Sequence, residues 1–292
     1  MSEPTNDRNS VRMLILSMLI FGTIGIFRRY IPVSSAFLAF ARGILGGLFL
    51  LACMKAQKKQ AREKLSRRAF LGLALTGGMI GINWMLLFEA YMHTTIAVAT
   101  LCYYMQPTIV VLLSPLVFRE KLTLRKGVCA LISILGMVLV SGVMQDGGQG
   151  GDLQGILLGL GAAAFYAAVV ILNKKIRVAD AYQRTTVQLL SAGVIMVPYL
   201  LLTGGFSGLS LEPLQMILLL FVCIVHTGIA YALYFGSMTG VRVQSIAVLS
   251  YIDPVAALFI SALILREPMS LWNIMGAVLI IGSAMISETE NK

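Results

Sequence analysis

Long apolar stretches separated by short polar segments run along the whole chain. Ten of them approach the roughly 20 residues that an α-helix needs to cross a bilayer core. Each is apolar throughout, whereas the strands of a transmembrane β-barrel alternate polar and apolar positions over about ten residues. The pattern therefore predicts an all-α polytopic membrane protein with ten transmembrane helices. The predicted spans are 11–27, 35–54, 69–90, 95–118, 127–144, 153–172, 185–203, 213–236, 243–265 and 271–287.

The second half of the chain repeats features of the first half, and the matched positions are separated by a nearly constant number of residues. Each half holds five predicted spans, an odd number, so the second half enters the membrane upside down relative to the first. We expect two inverted five-helix repeats at 1–144 and 153–292, joined by an outward linker at 145–152. The matched positions are Trp84 with Tyr231, Tyr104 with Tyr251, Gln106 with Asp253, Pro107 with Pro254, Arg119-Glu120 with Arg266-Glu267 and, less closely, Arg42 with Gln188.

Composition and charge support the membrane prediction. Only 12% of the residues are charged, about half the share that is usual in a soluble domain, and the mean hydropathy is +0.86. The net charge of +10 does not indicate a nucleic-acid partner, because the basic residues lie in short loops between apolar spans. Of the 23 Lys and Arg residues, only Arg28, Arg29 and Arg266 fall in the outward loops, and Arg42 lies within a span. This distribution predicts that both termini are cytoplasmic.

The repeated segments resemble the drug/metabolite transporter superfamily, specifically its ten-helix EamA-type branch. The resembling features are a Gly-x-x-Tyr-x-Leu-Tyr-Phe stretch at 228–235, the prolines of the fourth and ninth spans, and a Leu-x-x-Glu-x-x-(Ser/Thr) corner at 117–122 and 264–270. The resemblance covers residues 11–287. It implies a carrier of small metabolites in the cytoplasmic (inner) membrane, often an exporter, with a central cavity between the halves. It does not imply one substrate.

Asp253 is the acidic residue nearest the middle of a span, where a charge costs about 2.5–3.5 kcal/mol on insertion scales. It precedes Pro254, which cannot donate a hydrogen bond to the Ser250 carbonyl. A carboxylate beside such a carbonyl predicts a cation or proton site. The alternative is that Asp253 only pairs with a buried partner such as Arg42 or His226.

Three other polar groups lie within spans and each has two interpretations. Arg42 either binds a substrate carboxylate through its planar fork or extends to the outer surface. His226 either relays protons or contacts substrate, or it is a neutral side chain that joins two helices. Glu89 and His93, one turn apart, either form an interfacial pair or take part in gating or coupling.

Aromatic side chains concentrate in the spans that would line a cavity between the halves. Trp84, Tyr104, Tyr231 and Tyr251 are candidates to close over a flat or cationic substrate, with ordinary packing as the alternative. Gln106 and Gln188 are added as the matches of Asp253 and Arg42, and Pro107 and Pro254 as candidate gating positions. Tyr91, Tyr182 and Tyr199 lie near span ends and are expected in the interfacial belt.

Several chemistries have no pattern in this sequence. The four cysteines are scattered through predicted spans without a metal or redox spacing, and no glycine loop ends in Gly-Lys-Ser/Thr. We therefore expect no cofactor, no metal site and no enzyme activity. Secondary transport or passive facilitation remains, with a flippase of a lipid-linked intermediate as a rival and an intramembrane enzyme as a further one. Asp253 and Arg42 together suit an amino-acid-like, zwitterionic or cationic solute that is exported or exchanged by alternating access. Protons are a candidate coupling ion, and a monomer is compatible with the sequence.

Overall fold

The structure is a computed structural model that describes residues 7–56, 65–118, 123–140, 153–176, 180–207, 209–237, 241 and 249–288. These residues form ten helical rods and no strand. The rods are α1 (Arg8–Tyr30), α2 (Ser35–Ala56), α3 (Arg67–His93), α4 (Ile96–Tyr103 and Gln106–Phe118), α5 (Leu124–Val140), α6 (Leu153–Lys175), α7 (Ala181–Leu202), α8 (Pro213–Ser237), α9 (Ile252–Ile264) and α10 (Leu271–Glu288).

Length and apolar composition make most of these rods suitable for crossing a membrane. Seven of them qualify over 18 residues or more, namely α1 to α4 and α6 to α8, while α9 and α10 are apolar but shorter. The prediction of an all-helical, multi-pass membrane protein with ten helices is confirmed. The predicted start of the ninth span at 243 falls on residues outside those described, as do the Arg119-Glu120 corner and the linker at 145–152.

Polar side chains set the starts of several helices. Ser66 accepts a hydrogen bond from the Ala69 amide at 3.2 Å, and Thr95 accepts one from the Val98 amide at 3.1 Å. Each satisfies an amide of the first turn that has no partner within the helix. Thr95 thereby separates α3 from α4 with only Thr94 before it.

The fourth span is broken, which the prediction of one continuous helix at 95–118 did not anticipate. The break lies at Tyr104 and Met105, just before Pro107. Proline lacks an amide hydrogen, and its ring clashes with the carbonyl four residues earlier. Tyr251, which also stands three residues before a proline, has φ −75° and ψ −4°, and Tyr104 has φ −74° and ψ 5°. The two matched tyrosines therefore share one backbone conformation.

Further irregularities lie in α1, α8 and α9. Thr23 interrupts α1 with φ −83° and ψ −10°, Val222–Ile229 in α8 widens into a π-helix, and Ile260–Ile264 in α9 does the same. Such widened turns in α-helices are frequent at functional sites. The interrupted helix α1 contacts both α8 and α9.

Glycines allow the closest helix crossings. A Cβ atom on Gly43 would lie 2.4 Å from the Gly193 nitrogen where α2 crosses α7, and one on Gly276 would lie 2.5 Å from the Gly136 oxygen where α5 crosses α10. Small residues permit this backbone approach between membrane helices. The other extensive contacts join α3 to α2, α6 and α7, α8 to α1 and α2, α4 to α6, and α9 to α1.

Because consecutive helices alternate in direction, their ends gather on two faces. The N face is the one at which α1 begins, and Arg125 at the start of α5 there donates to the Ile286 carbonyl near the end of α10. The opposite face holds the turn between α1 and α2 and the turn between α3 and α4.

Candidate functional site

Arg42 lies inside the bundle rather than at its surface. It is 4% exposed, and its guanidinium carbon lies 4.1 Å from the centroid of the Trp84 ring and 5.1 Å from that of Phe88. Its Nε donates to Thr227 Oγ1 at 2.9 Å. Among the described residues no carboxylate pairs with it. The extension of Arg42 to the outer surface, one of the two sequence interpretations, is therefore not the observed arrangement.

The widened turn of α8 holds His226 next to Thr227. Thr23 Oγ1 lies 2.8 Å from His226 Nε2 and donates its own hydrogen to the Ile20 carbonyl at 2.7 Å. His226 Nδ1 is buried without a hydrogen-bond partner in the described part of the chain. The imidazole packs against the rings of Phe27 and Phe221. This contact joins α8 to the break in α1.

Asp253 accepts a hydrogen bond from the Tyr104 hydroxyl at 2.7 Å. Neither Arg42 nor His226 forms an ion pair with it, so the observed partner of Asp253 is Tyr104 and not one of these two candidates. The Tyr104 ring lies 6.2 Å from the Tyr251 ring. The two matched tyrosines, one from each half, thus meet beside the carboxylate.

Tyr103 connects the surroundings of Arg42 and Asp253. It packs against the cluster that contains Trp84 and Phe88, whose rings contact Arg42, and its ring lies 5.7 Å from that of Tyr104, which binds Asp253. Tyr231 packs against the same cluster. The structure therefore brings together most of the predicted site residues: Arg42, Trp84, Tyr104, Tyr231, Tyr251 and Asp253.

One tyrosine assigned to the interfacial belt is buried instead. Tyr91 is only 6% exposed, and its hydroxyl lies 3.3 Å from Thr100 Oγ1, because α4 folds back against the end of α3. Tyr182 donates to the Ala232 carbonyl at 2.9 Å. Tyr199 is 49% exposed and lies on the surface.

Gln188 and Gln106 lie apart from these charges. The Gln188 amide donates to Thr76 Oγ1 at 2.8 Å and to Asn173 Oδ1 at 2.9 Å, which joins α7 to α3 and α6. Gln106 and Pro107 line a cavity of about 220 Å³ between α4, α5 and α10, together with Thr108, Lys126 and Ser283. Pro254 is buried in the first turn of α9.

Acidic and basic side chains form a network at the opposite face. The Glu267 carboxylate pairs with Arg29 and also accepts from the Ile96 amide at 3.0 Å, so it joins α1 to the start of α4. Glu89 accepts from Ser35 Oγ at 2.6 Å and pairs with His93 at 3.3 Å. The interpretation of Glu89 and His93 as a pair is confirmed in geometry, and a gating role remains a prediction.

Several residues of the site could not be identified from the sequence. Thr227 and Thr23 are ordinary threonines in apolar spans, and only the adjacent His226 drew attention to that turn. Arg28 was counted as a loop charge, but it is 4% exposed and donates to Ser35 Oγ at 3.1 Å and to the Ile31 carbonyl at 3.0 Å. In the described ranges no three His, Cys, Asp or Glu side chains come together as metal ligands would.

Comparison with known proteins places this geometry in a family. The family model described as the EamA-like transporter family matches residues 9–142 and again residues 153–289. The chain belongs to the EamA-like transporter family. It is therefore a membrane transporter of small solutes.

Relatives and a solved structure agree with this assignment. An uncharacterized transporter of Bacillus subtilis (strain 168), YxxF, is 30% identical over 282 residues, which cover 95% of this chain and 89% of that protein. Protein RarD of Salmonella typhi is 24% identical over 255 residues, covering 85% and 83%. One solved crystal structure has a TM-score of 0.66 at 17% identity and covers 95% of this chain and 97% of its own, so it shares the fold.

Proposed function

We propose that this EamA-family transporter carries a small amino-acid-like solute, zwitterionic or cationic, and exports or exchanges it by alternating access between its two halves. The observation that carries the proposal is that Arg42, which is buried, and Asp253, which is partly buried, have opposite charges and are held by uncharged side chains and not by each other. A buried charge without a counter-charge is costly. A solute that brings a carboxylate to Arg42 and an ammonium group to Asp253 would supply both counter-charges.

Aromatic side chains around Asp253 support the ammonium end of this solute. Tyr104 binds the carboxylate directly, and the Tyr103 and Tyr251 rings lie 5.7 Å and 6.2 Å from the Tyr104 ring. Aromatic faces attract organic cations. Trp84 already stacks on Arg42, so the two ends of the region differ in chemistry. That difference favours a solute with one charge at each end.

The alternating-access part of the proposal rests on two inverted repeats, 1–144 and 153–292, joined at 145–152. Three observations support them: the family model matches twice, Tyr104 and Tyr251 share a backbone conformation, and three helix contacts of one half have a counterpart in the other. The α3–α6 contact corresponds to α8–α1, α3–α7 to α8–α2, and α4–α6 to α9–α1. In transporters of this kind, rocking of the halves exposes a fixed central site to each face in turn.

The proposed orientation puts both termini and the N face in the cytoplasm, with the protein in the inner membrane. The basic residues of the loops support it. Protons are the proposed coupling ion, and Asp253 is the proposed carrier, because a carboxylate beside a tyrosine hydroxyl can hold either a proton or the ammonium group of a solute. Exchange of one for the other would couple their movements.

Binding and transport test this proposal separately. A thermal-shift screen of purified protein against small carboxylates, amines and amino acids should raise the melting temperature most with zwitterions, because ligands of the folded state stabilise it by mass action. The best ligand, radiolabelled, should then enter proteoliposomes in exchange for unlabelled ligand inside. Lipid scrambling by the same vesicles without solute exchange would instead support a flippase. Solute exchange that ignores every imposed pH gradient would indicate a passive facilitator.

A further inference from the structure

The hydroxyl of Thr227 fixes which edge of the Arg42 guanidinium is available to a ligand. Thr227 Oγ1 accepts from Arg42 Nε at 2.9 Å, and neither Nη atom of Arg42 forms a hydrogen bond with a described residue. The Trp84 ring covers one guanidinium face at 4.1 Å. With Nε occupied and one face stacked, the two Nη groups present a pair of parallel donors in the guanidinium plane.

The backbone around this contact is arranged to bring Thr227 to Arg42. A Cβ atom on Gly46, one turn along α2 from Arg42, would lie 2.5 Å from Thr227 Cγ2. Only a residue without a side chain therefore lets α8 approach α2 this closely. Thr227 Oγ1 also lies 3.4 Å from the Val222 carbonyl five residues earlier, a spacing that the π-helical turn of α8 provides. That carbonyl takes the hydroxyl hydrogen and leaves the oxygen lone pairs for Arg42.

We propose that Thr227 is a positioning residue that holds the Nη edge of Arg42 ready for end-on, bidentate binding of a planar carboxylate. This inference rests on the proposed function, since it assigns the carboxylate end of the same site. A carboxylate has two coplanar oxygens that match two parallel N–H donors. Its single negative charge also matches the single cation, whereas a phosphate dianion would bring excess charge into the bundle.

The adjacent His226 extends this role to the shape of the bundle. His226 forms a hydrogen bond with Thr23 at the break of α1, and Thr227 accepts one from Arg42 on α2, both from one widened turn of α8. A ligand that displaces Arg42 would therefore also displace the π-helical turn of α8, which contacts the break in α1.

Trp84 provides a direct reporter for the test. The chain contains two tryptophans, so a Trp272→Phe background leaves Trp84 as the single tryptophan, stacked on Arg42. Purified protein in detergent is titrated with sodium acetate, sodium benzoate and sodium phosphate at constant ionic strength, while the Trp84 emission is followed. This test involves no solute gradient, so its result does not depend on transport. The protein can bind carboxylates without transporting a zwitterion, and it can transport a zwitterion without the carboxylate binding expected here.

We expect saturable emission changes with acetate and benzoate. Thr227→Val keeps the shape but removes the acceptor, so the carboxylates should bind about tenfold more weakly, as expected for loss of a hydrogen bond to a charged group. Thr227→Ser restores the hydroxyl and should bind within about twofold of the parent. Arg42→Lys keeps the charge without the fork and should also lose most of the binding.

Three results would overturn the proposal. The first is a parent protein that shows no saturable response to either carboxylate. The second is Thr227→Val binding carboxylates as tightly as the parent and Thr227→Ser do. The third is tighter binding of phosphate than of benzoate.

Discussion

Arg42 and Gln188 are matched positions in the two halves, yet their side chains are used differently. Gln188 places its amide between Thr76 and Asn173 and so joins three helices. Arg42 keeps its charge and both Nη groups without a partner among the described residues. The sequence match alone suggested a binding role for both. Their hydrogen bonds distinguish the two residues, because a side chain whose donors already bind protein groups has few donors available for a ligand.

Asp253 should govern transport more than any other acid. Asp253→Asn keeps the side-chain shape and an oxygen for the Tyr104 hydroxyl, but it removes the charge and the exchangeable proton. We expect exchange of the best ligand in proteoliposomes to fall at least about tenfold, which corresponds to about 1.4 kcal/mol, and dependence on a pH gradient to disappear. Glu89→Ala is the matched control, with a smaller expected loss. Parent-like, pH-coupled transport by Asp253→Asn would make this carboxylate structural.

Site residues were predictable from the sequence where placing their side chain within a membrane span has a high free-energy cost. A charge within an apolar span is rare and expensive, so Arg42, His226 and Asp253 stood out, and the structure buries Arg42 and His226 and places the Asp253 carboxylate against Tyr104. Thr227 and Thr23 carry no such cost, because a threonine hydroxyl can bond the carbonyl of its own preceding turn. Tyr91 was misassigned because its place near a span end does not reveal that α4 packs back over it.

At the scale of helices, the breaks follow from local chemistry, whereas the crossings do not. Pro107 made an interruption of α4 foreseeable, although the continuous apolar pattern at 95–118 concealed it. The π-helical turn of α8 has no comparable sequence signal, since its residues are apolar apart from His226 and Thr227. The crossing of α5 with α10 at Gly136 and Gly276 required the structure.

The α5–α10 crossing should be sensitive to one methyl group. A Cβ atom on Gly276 would lie 2.5 Å from the Gly136 oxygen, whereas one on Gly282 of the same helix meets nothing within 4 Å. Gly276→Ala should therefore destabilise the protein by about 1–3 kcal/mol, the usual cost of overpacking, and lower its melting temperature in detergent. Gly282→Ala is the control and should not lower it. Equal melting temperatures for the two variants would mean that the crossing can accommodate the added methyl group.

At the scale of the molecule, the orientation prediction depends on the loops, which are richest in basic residues between Lys55 and Arg68. A cysteine at position 60, in a background with the four native cysteines replaced by alanine, should resist a membrane-impermeant maleimide in intact cells. It should react once the membrane is permeabilised. A cysteine at position 209 in the turn before α8 is the control and should react in intact cells. The reverse labelling pattern would mean that the protein has the opposite orientation in the membrane.

The contact of Glu267 with Arg29 and with the Ile96 amide connects the two halves at the opposite face. A carboxylate at the first amide of α4 is favoured by the unsatisfied donors there. If the two halves rock as proposed, opening of this face would break these bonds. We therefore expect Glu267 to stabilise a state in which the opposite face is closed.

Glu267→Gln should make that face open more often. Because Arg29 is partly exposed, we expect the substitution to weaken the closed state by about 1 kcal/mol. This changes the equilibrium between the closed and the open state by a factor of about five. A cysteine replacing Ile96, which is fully buried, should then react about fivefold faster with an impermeant thiol reagent added at that face. Glu212→Gln changes an exposed acid at the start of α8 and should leave the rate unchanged. If Glu267→Gln also leaves it unchanged, the Arg29–Glu267 pair is a surface contact that does not control the opening of this face.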